Sequence, residues 1–224
     1  YRVNEETNLR LDPSSVYLVD SGGQYPDGTT DITRTVWIGP GEPPAEVKDR
    51  FTRVLKGHIA LSRAVFPRGT AGSQLDVLAR QFLWQAGVDY AHGTGHGVGS
   101  YLSVHEGPQR IAKSAGGQAG TDQELLPGMI LSNEPGYYKA GEYGIRIENL
   151  VVTREYRKTE DFGNFYNFET ITLCPIDTRP IVRKLLTKNE IGWLNAYHEM
   201  VYNKLKKHLN KTEKEWLREK TRPI

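Results

Sequence analysis

The chain has a single cysteine, Cys174, among 224 residues. One thiol leaves an internal disulfide without a partner, and such sparse usage fits a reducing cytoplasm rather than an oxidising compartment. Cys174 closes the apolar stretch ITLC with no base beside it, so it reads as a buried structural thiol rather than a nucleophile. Long apolar runs are also missing. Nothing approaches the roughly eighteen residues that would cross a bilayer, and the opening YRVNEETN carries no signal-peptide pattern, so no membrane partner is expected. Charge is nearly balanced, with 29 lysines and arginines against 27 aspartates and glutamates. No nucleic acid or other polyanion is therefore implied, and the basic cluster KLKKHLNK reads as a solvated helix face. Internal repeats and low-complexity segments are absent too.

What is present is an ordinary globular composition, 38% apolar and 25% charged, long enough for one full core and a small appendage. Residues 15–39, SVYLVDSGGQYPDGTTDITRTVWIG, hold two β-forming runs around Pro26-Asp27-Gly28, whose turn chemistry predicts an antiparallel hairpin. Asp20 ends the first run and Asp31 enters the second, so the hairpin brings two carboxylates to face each other. That is unfavourable unless a cation lies between them or one is protonated. Both aspartates could instead be turn-flanking caps, which suits Asp12 and Asp27 well and Asp20 poorly, since it follows four β-formers.

Val47, Phe51, Val54, Leu55, Ile59, Leu61 and Val65 fall at helical spacing, with His58 on that helix's face rather than acting as a ligand. A second helix takes Ser73 as its cap and runs to Gly87. Residues 111–126 read as a flexible loop at the mouth of a site, residues 154–167 as an exposed charged and aromatic loop, and FETITL as a last short strand. Beyond Pro175 the composition turns helical, with capping boxes at 187–190 and 212–215. Residues 175–224 are expected to form an extension packed on a main domain of residues 1–174.

The densest chemistry lies in HGTGHGVGSYLSVHEGP, residues 92–108, where His92, His96 and His105 stand among five glycines. Glycine at 93, 95, 97 and 99 strips out side-chain bulk, which suits a backbone passing close to something small with imidazoles aimed at it. A glycine-rich surface loop is the plainer alternative. Downstream, Glu134 ends an apolar run in PGMILSNEPGYY, and Glu148 alternates with Ile145, Ile147 and Leu150. Their spacing fits a strand pair with a glycine-bearing connection, although a salt-bridged surface strand accounts for Arg146 and Glu148 equally well.

Asp20, Asp31, His96, Glu134 and Glu148 are thus four carboxylates and one imidazole at strand ends or glycine-rich turns. Such carboxylates converging in a core would be prohibitive without metal charge. Mostly oxygen donors with one nitrogen favour Mn(II), Co(II), Zn(II) or Fe(II) over a thiolate-type site. Five ligands are too many for one tetrahedral ion but enough for two. Ions about 3.5–4 Å apart can hold a hydroxide between them and polarise a carbonyl, which leaves His92 and His105 for substrate and a tetrahedral intermediate.

DSGGQYPDGTTDITRT, HGTGHGVGSYLSVHEGP, SNEPGYY and GIRIEN, in that order, resemble the creatinase/methionine-aminopeptidase family, and within it the Xaa-Pro aminopeptidases. The resemblance runs from Tyr1 to about Leu173, and the segment that follows is similar to the C-terminal extension of the longer members. It implies an α+β, pita-bread fold: a curved antiparallel sheet covered by helices, incomplete at its N-terminus, with a C-terminal helical extension. It further implies Asp20 on one metal, Asp31 and Glu148 bridging both, and His96 and Glu134 on the second. His105 would contact the scissile peptide, His92 would line the substrate pocket, Arg146 would steady Asp31 and Glu148, and Tyr138 would lie near the metals. The implied reaction is hydrolysis between an N-terminal residue and a following proline. The implied cofactors are two divalent ions, Mn(II) ahead of Co(II), Zn(II) or Fe(II). The same analogy implies a homodimer.

Members of the family carry a His-Tyr pair ahead of the hairpin, matched here by Tyr1 alone. The chain is therefore expected to be the C-terminal portion of a larger protein, short of one substrate-binding histidine. Prolidase and methionine aminopeptidase share the five ligands and differ in substrate. A non-catalytic pita-bread interaction module is a further alternative, against which the intact ligand set weighs.

Overall fold

A computed structural model describes residues 4–101, 103–114 and 119–224; Tyr1, the match to the family tyrosine, lies outside the described residues. Strand β1 (Ser15–Tyr25) pairs antiparallel with β2 (Gly28–Ile38) along its whole length. The turn is only Pro26-Asp27, so both strands run further than their β-forming cores, through Gly22 and Gly23. That register sets Asp20 opposite Thr33 and Asp31 opposite Gly22. The two aspartates therefore share a face as diagonal neighbours rather than facing each other, a correction set by turn length.

A second hairpin is broken in its middle. Strand β6 (Ile130–Asn133) pairs with β9 (Asn149–Thr159), and β7 (Gly136–Lys139) with β8 (Tyr143–Arg146). The connection turns at Gly141, φ +74°. One register runs through the break, from Asn133↔Asn149 to Gly136↔Arg146, which sets Glu134 across from Glu148 as the spacing predicted. Pro135 cannot donate to a ladder, and the two glutamate amides turn outward. Glu134 N donates to Thr94 O at 2.8 Å and Glu148 N to Thr33 O at 3.1 Å. The break is thus where the first hairpin and the histidine segment dock.

Beyond that point β9 continues into a hairpin with β10 (Gly163–Thr170), and β3 (Val65–Pro67) adds to its edge. Residues 154–167 are therefore mostly strand rather than loop. The Arg154–Glu169 ion pair at 2.6 Å and the Arg157 guanidinium over the Tyr156 and Phe165 rings let charged residues stabilise a solvated ladder. Val65 likewise belongs to β3 and not to the helix before it.

Helix α1 (Ala45–Ser62) and helix α2 (Gly72–Trp84) cover the sheets. They cross closely because Gly57 has no side chain: a Cβ there would lie 2.1 Å from Ala79 O. Helix α2 starts before Ser73, its Ala71 amide capped instead by Gln74 Oε1 at 2.8 Å. It ends as expected before Gly87, φ +69°. Ile111 and Leu125 are fully buried, which removes both from the expected mouth loop; residues 115–118 lie outside the described residues.

Helix α3 (Lys188–Leu205) opens on the predicted Thr187–Glu190 capping box, whereas α4 (Lys211–Lys220) is capped by Asn210 and Glu213, two residues earlier than expected. One continuous core runs from Phe51, Leu55 and Ile59 of α1 through Ile145 and Ile147 to Leu194, Val201 and Leu217. Cys174 is half-buried rather than buried, its sulfur 3.8 Å from Pro175 O. Among the described residues no helix is long and apolar enough to cross a membrane.

Candidate metal centre

Asp31 projects from β2, His96 from β4 (Gly95–His96), and Glu134 and Glu148 from the two sides of the broken hairpin. Strand β4 pairs with β5 (Arg110–Ile111) and presses onto β6. Gly95 permits this approach, since a Cβ there would meet Ser132 O at 2.0 Å. The His96 amide donates to the Ser132 hydroxyl oxygen at 3.0 Å, and that hydroxyl donates to Glu134 Oε1 at 3.1 Å. His96 Nδ1 lies 2.8 Å from Gly97 O, turning Nε2 toward Asp31 at 3.4 Å and Glu134 at 3.3 Å. Asp31, His96 and Glu148, all buried, each offer a ligand atom within 4.8 Å of the others.

Burial, followed by Glu134 and Asp31 nearby, pushes the Glu148 carboxyl up to about 8. Burial, partly offset by His96 and Arg146, lifts Glu134 to about 7. For His96, burial opposes protonation, but the Asp31 and Gly97 hydrogen bonds and the Glu134 charge outweigh it and the pKa rises. Acids forced to keep their protons near neutrality mark a pocket short of positive charge. Hard oxygen donors with one imbalanced imidazole, packed this closely, fit divalent cations.

The remaining predicted residues line the same space. A cavity of about 400 Å³ is walled by Asp20, Asp31, His96, His105, Glu134 and Glu148, and an adjoining one of about 540 Å³ reaches His92, Tyr138 and Arg146. Asp20 stands outside the three-residue cluster. Its side chain is 54% exposed and turned to Arg146 Nη2 at 2.5 Å. Arg146 contacts Asp20, Tyr138 Oη at 3.0 Å and the Thr33 hydroxyl at 2.9 Å, lies 3.8 Å from Glu134 Oε2, and reaches Glu148 through Thr33. The diagonal register explains this, since it carries Asp20 rather than Asp31 toward β8. His92 Nε2 lies 2.8 Å from Tyr138 Oη, and the His105 ring stands edge-on to His96 at 4.2 Å between centroids.

Several supporting residues escaped the sequence reading. Thr33 donates to Glu148 Oε2 at 2.6 Å; strand alternation two residues beyond Asp31 could have found it. His58, a helix residue as expected, is fully buried beneath the carboxylate strands, with Nδ1 3.1 Å from Asn133 O and Nε2 3.2 Å from Asn149 Nδ2. Burial, then the Arg34 charge, takes its pKa down to about 3, so it is neutral. No local signal announces that role.

Comparison with known proteins follows the same outline. The description "Metallopeptidase family M24" matches residues 1–155, and the C-terminal region of peptidase M24 matches residues 164–224. Aminopeptidase P2 of Arabidopsis thaliana is 49% identical over all of this chain and 31% of its own length. A probable Xaa-Pro aminopeptidase P of Coprinopsis cinerea is 51% identical over 93% of this chain and 33% of its own. The chain thus spans about a third of the relatives it matches. A crystal structure of X-prolyl aminopeptidase from Caenorhabditis elegans, described as a cytosolic enzyme with a di-nuclear active site, superposes with a TM-score of 0.88 at 46% identity, covering 99% of this chain and 36% of that one. Prolidase from Pyrococcus furiosus gives 0.59 at 28%, covering 73% of this chain and 43% of its own.

Proposed function

The chain belongs to metallopeptidase family M24, and we propose that it carries the metal centre of an enzyme that hydrolyses the bond between an N-terminal residue and a following proline. The convergence of Asp31, His96 and Glu148 in one acidic cavity, with Glu134 against His96, carries this reading. The pita-bread likeness to the X-prolyl aminopeptidase extends through the C-terminal region, whereas the likeness to prolidase stops at 73% of the chain, which favours the aminopeptidase over the dipeptidase.

In this reading Asp20, Asp31, His96, Glu134 and Glu148 would hold two divalent ions. When bound, the ions polarise the scissile carbonyl and acidify a water so that it can attack near neutral pH. The protein's own groups do the rest. The acid-lined cavity draws in the cationic amino terminus of a peptide. Burial holds His92 below its usual pKa, so its neutral ring, fixed by Gly93 O and Tyr138 Oη, lines the pocket without adding a competing charge. Burial and the neighbouring His96 likewise lower His105, and its position at the cavity wall lets it steady the carbonyl oxygen as charge develops. Arg146 restrains Asp20 and braces Thr33. Manganese as the resident pair rests on the family resemblance; the oxygen donors with one imidazole suit Mn(II), Co(II), Zn(II) or Fe(II). A cytoplasmic setting draws on the neighbour described as cytosolic, and a homodimer rests on the family resemblance.

Metal analysis of the purified chain tests the reading. Two ions per chain, lost in Asp31→Asn, is the expected result, together with release of the first residue from a peptide with proline in second place by the full-length protein. Equal cleavage of peptides with alanine there would refute the proline specificity, and no metal uptake from added Mn(II) would refute the centre.

A further inference from the structure

Three polar atoms of Glu148 are held by one short piece of β2. Its amide donates to Thr33 O at 3.1 Å, its carboxylate accepts from the Thr33 hydroxyl at 2.6 Å, and its carbonyl accepts from Arg34 Nη1 at 2.5 Å. Strand alternation turns Arg34 to the face opposite Asp31 and Thr33, away from the acidic cavity, where it is only 6% exposed. There its fork also reaches Thr33 O at 2.9 Å, Asn149 Oδ1 at 2.7 Å, and the carbonyls of Cys174 and Pro175 at 2.8 and 3.0 Å. Tyr197 Oη of α3 lies 3.0 Å from Arg34 Nη2 and donates to Cys174 O at 2.8 Å. One side chain therefore ties the strand of Asp31, the backbone of Glu148 and the C-terminal helices together. A lysine could not do this, because it offers one nitrogen in place of a rigid fork of five N–H donors.

Metal ligands act only when held in place by the groups behind them, and loss of such a group typically weakens metal binding about 10–100-fold. We infer that Arg34 is a positioning residue through which the docking of α3, by way of Tyr197, sets the placement of Asp31 and Glu148 and so the metal affinity of the centre. The inference rests on the metal-centre reading. It makes the C-terminal region a part of the site's assembly and not only a cover for its core.

The test is Co(II) titration of the chain, followed by calorimetry and visible absorption, on Arg34→Lys, Tyr197→Phe and Leu217→Val. Leu217 is buried in the same C-terminal packing, 2% exposed, but lies outside this hydrogen-bond network. Arg34→Lys is expected to weaken Co(II) binding about 10–100-fold and to shift the absorption bands. Tyr197→Phe is expected to move both in the same direction by less, and Leu217→Val to lower Tm with affinity and spectrum unchanged. Folded Tyr197→Phe with wild-type affinity and spectrum overturns the inference, as does Leu217→Val weakening the metal as much as Tyr197→Phe. Should Arg34→Lys not fold, Tyr197→Phe decides. No uptake of Co(II) by the unsubstituted chain overturns the metal-centre reading, and this inference with it; uptake with unchanged variants overturns the inference alone.

Discussion

Removing the metal should make stability fall as pH rises from 7 to 8. In the metal-free chain Glu134 and Glu148 keep their protons up to about 7 and 8, against 4.5 ordinarily. Over that window the folded state binds protons that the unfolded chain has released, so unfolding free energy decreases with pH. His96, raised above 6.5, acts in the same direction. Toward pH 6.5 the sign becomes mixed: His58 and His198, lowered to about 3 and 4 by burial, and His92 and His105, also lowered by burial, stay neutral in the fold while the unfolded chain begins to protonate them. The clean window is therefore above about 7. At about 1.4 kcal/mol per pH unit for each proton, Glu148 contributes about 1 kcal/mol across it and Glu134 less. Divalent metal takes the place of those protons, so saturating Mn(II) should flatten the slope and release protons on binding. Urea denaturation with EDTA and with Mn(II) at pH 7.0, 7.5 and 8.0 measures both slopes. Metal-free stability that is level or rising over this range would falsify the convergence of two protonated acids.

Three substitutions extend the same reasoning. Glu148→Gln should abolish tight metal binding, yet raise the stability of the metal-free chain at pH 8 by about 1–3 kcal/mol by removing a buried charge, read by the same urea titrations in EDTA. Gly57→Ala would drive a Cβ to 2.1 Å from Ala79 O and should cost about 1–3 kcal/mol or more by forcing the helices apart, seen as a lower Tm. Thr187→Ala removes the hydroxyl that accepts from Glu190 N at 3.3 Å and should cost about 1 kcal/mol without altering Co(II) affinity.

The short-range features of this protein were legible in the chain itself. Pro26-Asp27-Gly28 announces a tight hairpin because those residues already favour the turn. The spacing of Val47, Phe51 and Ile59 announces a helix with one buried face, and Thr187 with Glu190 announces where the later helix begins. Within the candidate centre, His96 between glycines and Glu134 before Pro135 stand out as poor choices for any ordinary strand, whereas Glu148 beside Arg146 suits a surface salt bridge equally well. What the order of residues left open depends on partners distant in sequence. The diagonal offset of Asp20 from Asp31 follows from how far the strands extend past their β-forming cores. The hairpin at residues 154–167 exists because charged side chains find cross-strand partners, which composition alone cannot reveal. The attachment of Arg146 to Asp20, the burial of His58 under Asn133 and Asn149, and the grip of Arg34 on Glu148 join residues about a hundred apart. Such contacts are chosen by packing, where each buried polar group must find whatever partner the fold brings within reach, and only the tertiary structure decides which that is.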